Sequence, residues 1–322
     1  MKVLYDHDPV GDPRGAAVTI GVFDGVHRGH QSVLRQLVDD ASRRELMSTV
    51  VTFDPHPALV LAPEKAPAQI EPLERRLERF AALGIDQVRV ITFDALASRE
   101  EAEAFVDRVL VDQLATRHVH VGRDFHFGRD RGGNVERLEA WGRTRGFDVA
   151  GLELVTDGGR ISTTRIRDLI AQGRVDEAGD LLGHAVVITG TVEHGDARGG
   201  AELGYPTANL ALPTHAARPG LGIYAGAAQL ASGAWHAAAI SVGRRPQFYE
   251  HGDVLIEAFL LDFDGNLYGQ DVDLVFFKFL RGEATFNSVD ELVEQIERDV
   301  AHAAKEYEHF AGNPSALLQF YV

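Results

Sequence analysis

His27 and His30 stand three residues apart in FDGVHRGHQ, a spacing that turns both imidazoles the same way at the opening of a helix. Gly25 and Gly29 beside them let the backbone come close to a ligand. The apolar run VTIGVF (18–23) precedes this stretch and HQSVLRQLVDDASRR (30–44) follows it, so the pair lies on a strand-to-helix turn. The free N–H groups and positive dipole end of such a helix form a phosphate cradle. Two imidazole donors there suit nucleotidyl transfer. The attacker in that chemistry is already an ionised phosphate, and the need is to hold a triphosphate and stabilise charge on its α-phosphate and on pyrophosphate. Two surface histidines beside a tight turn are the plainer alternative.

Two further stretches carry groups of the same use. In GRISTTRIR (159–167), Ser162, Thr163 and Thr164 offer hydroxyls at a helix N-terminus and Arg165 or Arg167 can reach phosphate, although ordinary N-capping accounts for the hydroxyls too. In VGRDFHFGRDRGGN (121–134), Asp124, Phe125, Phe127 and Gly128 directly follow a strand end, where loops of parallel sheets carry ligands. Packing of the two phenylalanines is the competing reading. His56 in TFDPHP also follows a strand end and is assigned no role.

The second half offers different chemistry. No Gly-x-x-x-x-Gly-Lys-[Ser/Thr] occurs, and none of Lys2, Lys65, Lys278 and Lys305 follows a glycine, which leaves a P-loop and a protein-kinase lysine unsupported. The candidate replacement is HGDARGGAELGYPTAN (194–209), whose Gly195, Gly199, Gly200 and Gly204 allow backbone amides to wrap phosphate oxygens. Thr207 and Asn209, two apart, share a side if the segment is extended, and neutral oxygens of this kind can hold Mg²⁺ while ATP supplies the negative ligands. A Gly-rich hairpin ending in a Pro turn explains the segment equally well. Glu257 is an acid inside the apolar strand VLIEAFLLDF; in such a setting it pairs, works as a base, or simply faces outward in normal alternation.

These groups need two kinds of scaffold. From Val18 to about Val155 strands alternate with amphipathic helices: MSTVVTF (47–53), EPLERRLERFAALG (71–84), QVRVITF (87–93), a helix opened by Ser98 with Glu101 as a capping box, RHVHVG (117–122) and FDVAGLELV (147–155). That rhythm predicts a doubly wound parallel sheet. After Gly183 the strands HAVVITGTVEHG, GIYAGAAQL, AWHAAAISVG, VLIEAFLLDF and DVDLVFFKFL follow one another without long helices, which predicts an antiparallel β-barrel. A terminal helix begins at Ser288, with Glu291 in capping-box position and Val289, Leu292, Ile296 and Val300 on one stripe. TRIRDLIAQGRVDEAGDLLG (164–183) reads as a helical connector, so the expected domains are 1–183 and 184–322.

Composition agrees with a two-domain globular protein. The 322 residues are 45% hydrophobic and 25% charged, enough for two cores of ordinary size. A net charge of −16 argues against nucleic-acid binding and requires any phosphate site to be built locally from helix ends, arginines and metal. The absence of cysteine excludes disulfides and fits a reducing cytosol. No apolar stretch is long enough to span a membrane, and the first residues do not read as a secretory signal. Self-association is not legible in the chain.

GVFDGVHRGHQ, TFDPHP, GRDFHFGRDRGGN and ISTTRIRDLIAQGRVDEAGDLLG, in that order, resemble the N-terminal half of prokaryotic bifunctional riboflavin kinase/FMN adenylyltransferase. HGDARGGAELGYPTANL, GIYAG, SVGRRPQF, IEAFLLDFDGNLYG and FLRGEATFNS extend the resemblance through the second half. It implies a cytoplasmic enzyme of flavin biosynthesis with ATP, riboflavin, FMN and FAD as substrates and products and Mg²⁺ as cofactor. It further implies that His27 and His30 handle ATP phosphates within a stretch including Gly21, Phe23, Asp24, Gly25 and Gly29. Asp124 and Ser162, Thr163, Thr164 and Arg167 help bind ATP and FMN. In the kinase half it implies a phosphate and metal site at Gly195, Gly199, Gly204, Pro206, Thr207 and Asn209, Glu257 as catalytic base, and Arg281 on the flavin side. The chain departs from the family at Gln247, where a threonine is common, at Tyr205 for phenylalanine, and at Gly200 for arginine. A single-activity nucleotidyltransferase with a flavin-sensing barrel, or a non-catalytic flavin carrier, are the other readings; neither needs both Glu257 and the paired histidines.

Overall fold

The computed structural model describes residues 1–6, 8, 12, 14–152, 161–194, 205–244 and 254–312. The chain folds as two compact units: Met1–Pro67 with Leu73–Ser162, and Ala68–Pro72 with Thr163–Val322.

The first unit holds β1 (Lys2–Leu4), β2 (Ala16–Ile20), α1 (Arg28–Arg44), β3 (Met47–Asp54), α2 (Pro57–Leu61), α3 (Leu73–Ala82), β4 (Gln87–Thr92), α4 (Ala102–Phe105), β5 (Thr116–Gly122), the short hairpin β6 (His126–Phe127) and β7 (Gly133–Asn134), α5 (Val135–Arg145) and β8 (Asp148–Leu152). Six strands form one parallel sheet in the order β1-β4-β3-β2-β5-β8. Every residue of β2 is buried, as a central strand covered on both faces must be. Ala16, Val18 and Ile20 pack with Phe105, Val106, Val109, Leu110 and Leu138 from the α4 and α5 side; α1 packs on β2 and β3. The chain leaves β2 toward β3 on one side and returns through β5 on the other. The switch point of the sheet therefore lies between the carboxyl ends of β2 and β5, where open α/β sheets bind ligands.

Two local expectations change. Strand β2 stops at Ile20, because Phe23 takes a left-handed conformation and turns the chain. Ser98 opens no capping box: its Oγ donates to the Ala95 carbonyl, and the helix starts after Glu101, then widens into a π-helix over Val106–Gln113. Strand β1, unannounced by the polar opening sequence, pairs with β4.

The second unit begins with α6 (Thr163–Ala171) and α7 (Val175–Leu182), a pair where one connector helix is expected; Gly173, at φ +77°, separates them. Then come β9 (Val186–Glu193), β10 (Ala208–Ala211), β11 (Gly222–Leu230), β12 (Trp235–Arg244), β13 (Val254–Leu260), β14 (Asp271–Arg281) and α8 (Val289–Ala311). The six strands close into an antiparallel barrel, β10-β13-β12-β11-β14-β9. Leu210, Ile240, Val242, Ile256, Ala258 and Leu260 fill its interior. Helix α7 packs on β9 and β14, and α8 on β11, β12 and β14. Ser288 caps α8 by accepting the Glu291 N–H at 3.2 Å, while the Glu291 carboxylate returns to the Asn287 N–H at 2.9 Å. Val289 of the expected apolar stripe is 61% exposed; the buried face carries Asp299, Ala303 and Phe310.

Candidate functional site

The turn between β2 and α1 sits at the switch point of the sheet. Gly21, in the bend after β2, donates its N–H to the Val51 carbonyl. Phe23 (φ 55°), Gly25 (φ 72°) and Val26 (φ 33°) all hold positive φ, a costly conformation for a bulky aromatic and a β-branched residue, and one that clusters at functional turns. Asp24 is buried between them. The Phe23 ring lies edge-on to His30 and Phe80, centroids 5.1 and 5.8 Å away, which fixes the turn from inside.

His27 is the N-cap of α1. Its Nδ1 accepts from the His30 backbone N–H at 3.3 Å, so its Nε2 carries the proton and the ring is neutral. The two imidazoles stack, centroids 3.6 Å apart and nearly parallel. Gly29 permits this: a Cβ there would stand 3.1 Å from the His27 ring. Burial first, and the neighbouring His27 second, hold His30 well below the usual histidine range, and its Nδ1 is sequestered with no partner among the described residues. At pH 7 the site presents two neutral N–H donors beside a helix N-terminus. An arriving phosphate reverses the balance by favouring the protonated ring.

The depressed His30 value fixes a direction for stability. The unfolded chain protonates His30 near pH 6.5 and the folded chain does so only further into acid, so stability is lost as pH falls below about 6.5. Between pH 7.5 and 5.5 this one group is expected to lower stability. Urea unfolding at both values checks it: His30→Asn should show a smaller pH dependence than wild type.

Arg76, on α3, is a residue the sequence reading missed. It is buried and donates to the Val22 carbonyl at 2.7 Å and to Thr52 Oγ1 at 3.1 Å, tying the turn to α3 and β3. Asp124 lies in the exposed turn after β5, on the other side of the switch point, and its carbonyl accepts from His126 Nδ1 at 2.9 Å. Phe125 and Phe127 stack at 5.3 Å and pack on the sheet core, so both are structural. His56 caps α2, accepting from the Ala58 N–H at 3.0 Å. Ser162 closes the first unit; Thr163 and Thr164 open α6 in the second, where Arg167 donates to the Ala68 carbonyl.

In the barrel, β13 sends Ile256 and Ala258 inward, and Glu257 between them stands half-buried on the outer wall. Its register partners are Asn209 on β10 and Ser241 on β12. Asn209 in turn faces Glu193 on β9, and Ser241 faces Ile223 on β11, which pairs with Arg281 on β14. One outer row therefore joins Glu193, Asn209, Glu257, Ser241 and Arg281. Thr207 precedes Asn209 by two residues, next to half-exposed Tyr205 and exposed Pro206. The Arg281 guanidinium is committed: Nε and a terminal nitrogen bind buried Asp299 at 3.0 and 2.6 Å, another nitrogen binds the Gly282 carbonyl, and Phe286 lies 5.8 Å below. Gly195, Gly199, Gly200, Gly204 and Gln247 lie outside the described residues.

The FAD synthetase family model matches residues 10–165 and the riboflavin kinase model residues 182–307. A Listeria monocytogenes protein named bifunctional riboflavin kinase/FMN adenylyltransferase is 36% identical over 93% of this chain and 96% of its own. The chain belongs to the bifunctional riboflavin kinase/FMN adenylyltransferase family. Family members of the same name from Pseudomonas fluorescens (39% identity, 92% of this chain and 94% of that one) and Escherichia coli K12 (37%, 88% and 90%) agree. A crystal structure described as a macrolide-efflux protein from Streptococcus pneumoniae superposes with a TM-score of 0.81 at 29% identity, covering 93% of this chain and 97% of that one. Among the described residues of this chain, no helix is long and apolar enough to cross a membrane. Both halves of the family pattern are present, so the reading with a single activity and a sensing barrel is not favoured.

Proposed function

We infer that the chain phosphorylates riboflavin with ATP to give FMN and then transfers AMP from a second ATP to FMN, giving FAD and pyrophosphate. The observation that carries this reading is the pairing of Asn209 with Glu257 on the half-buried outer wall of a barrel, in a chain that both family models match. The alternative that Glu257 is only an outward strand residue leaves its asparagine partner unexplained.

In the kinase step the nucleophile is the 5′-hydroxyl of the ribityl chain. Glu257 accepts its proton as the oxygen bonds to the γ-phosphorus, while the bond to the bridging oxygen breaks and ADP leaves. Thr207, Asn209, Glu257 and Glu193 bring hard oxygen donors to one neighbourhood, the donor set that fits Mg²⁺. When bound, that ion neutralises charge on the ATP phosphates. Thr207 and Asn209 are its proposed protein ligands.

In the adenylylation step an FMN phosphate oxygen attacks the α-phosphorus of ATP and pyrophosphate leaves. No base is needed. His27 and His30 donate N–H bonds to the charge that develops, at the entrance of α1, whose first N–H groups point the same way. Gly21, Phe23, Asp24, Gly25 and Gly29 shape this turn, and Asp124, Ser162, Thr163, Thr164 and Arg167 are assigned to ATP and FMN. Arg281 acts in this reading through Asp299 by holding the flavin-side strand in place. Residues 1–183 carry the adenylylation and 184–322 the phosphorylation, although α6 and α7 fold within the same unit as the barrel.

The direct test is to incubate the purified chain with riboflavin, ATP and Mg²⁺ and separate the flavins by chromatography. FMN is expected first and FAD after it. A chain that makes FAD from FMN but never FMN from riboflavin contradicts the kinase half, and the converse contradicts the other.

A further inference from the structure

Strand β5 reads TRHVHVG, and its alternate residues divide between the two faces of the sheet. Val119 and Val121 join the apolar cluster on the α4 and α5 side. His118 and His120 go to the opposite face, toward α1, where they are 6% and 5% exposed. Their Nε2 atoms converge on a single oxygen of Asp40, near the end of α1, at 3.5 and 3.2 Å. The three ligand atoms all lie within 4.8 Å of one another. We propose that Asp40, His118 and His120 form a divalent transition-metal site, separate from the two nucleotide sites, that clamps α1 to β5.

The distances carry the argument. A tetrahedral ion with ligands about 2.0–2.1 Å away sets neighbouring ligand atoms roughly 3.3 Å apart. The two His–Asp separations are edges of such a tetrahedron as they stand. The imidazoles meet edge to face, centroids 4.6 Å apart, so their Nε2 atoms stay convergent without stacking. Both Nδ1 atoms are buried without partners among the described residues, so this polar cluster costs stability that two valines in its place would not.

Other charges near the site permit this. Arg44 and Arg43 also bind Asp40, at 2.8 and 3.3 Å, Arg44 on the same oxygen as the imidazoles; both arginines are exposed at the helix end, and a bound ion would take that oxygen from Arg44. Asp148, the register partner of His118 on β8, adds a second carboxylate on the same face. Two imidazole nitrogens and one carboxylate oxygen select zinc-like ions over Mg²⁺ or Ca²⁺. Asp40 lies ten residues after His30, about 15 Å along the helix. The site is therefore structural and takes no part in phosphate chemistry.

The test titrates the EDTA-treated full chain with Co²⁺ and with Zn²⁺ in the absence of nucleotide. Expected are one cobalt ion per chain with the strong visible absorption of tetrahedral coordination, and a Tm raised by Zn²⁺. Asp40→Asn and His120→Gln should each weaken binding by more than about tenfold, the loss that even an outer-shell change produces. Should His120→Gln fail to fold, Asp40→Asn at its half-buried position decides alone. The site is overturned if the wild-type chain takes up no metal at micromolar concentration, or if Asp40→Asn binds as tightly as wild type. It is equally overturned if His27→Asn, not Asp40→Asn, abolishes uptake.

Discussion

Glu257→Gln is expected to stop FMN formation, lowering its turnover by about 10²- to 10⁴-fold, while the variant converts supplied FMN to FAD at the wild-type rate. The size of the loss follows from what the substitution removes. Glutamine keeps the shape of the side chain between its register partners Asn209 and Ser241, but it cannot accept the hydroxyl proton. Neighbouring Ile256 and Ala258 stay in the barrel interior, so folding should be untouched. Chromatography of the two half-reactions, with circular dichroism as a control, decides the matter. Equal slowing of both reactions would mean that the division into two sites is mistaken.

His30→Ala is expected to give the opposite result: FMN accumulates and FAD formation falls about 10²- to 10³-fold, the usual cost of losing one donor to developing charge. The alanine also removes the ring that stacks on His27 and the edge that meets Phe23, so part of the loss is mispositioning. His30→Asn separates the two causes. It restores an N–H donor but not the aromatic contacts, and activity between wild type and His30→Ala is expected. Kinase turnover of both variants should match wild type, because the barrel holds its own groups.

Much of this was legible in the sequence. Strand–helix alternation with buried apolar runs dictated the parallel sheet, and the paired histidines next to two glycines marked the turn at its switch point. The closely spaced strands after Gly183 announced the barrel, and Ser288 with Glu291 marked the start of α8. What escaped depended on contacts distant in sequence. β1 and β10 are three and four residues long, and partners in β4 and in β9 and β13 hold them, not their own composition. Arg75, Arg76 and Arg79 carry no apolar signal, yet all three are buried on α3, and Arg76 anchors the turn after β2. The Ser98 capping signal lost to Glu101, where the helix begins. The sequence displayed His118 and His120 as ordinary strand residues, since only the fold brings Asp40 to them from 80 residues away.

Along β13 consecutive side chains serve different masters: Ile256 and Ala258 hold the lumen together, and Glu257 faces outward beside Asn209. Sliding that strand by a single position would push the carboxylate into the hydrocarbon interior and put isoleucine beside Asn209. With Glu257 in its proposed role, no partly slipped barrel keeps its catalytic function, and FMN production doubles as a report on whether β13 has threaded correctly against both neighbours.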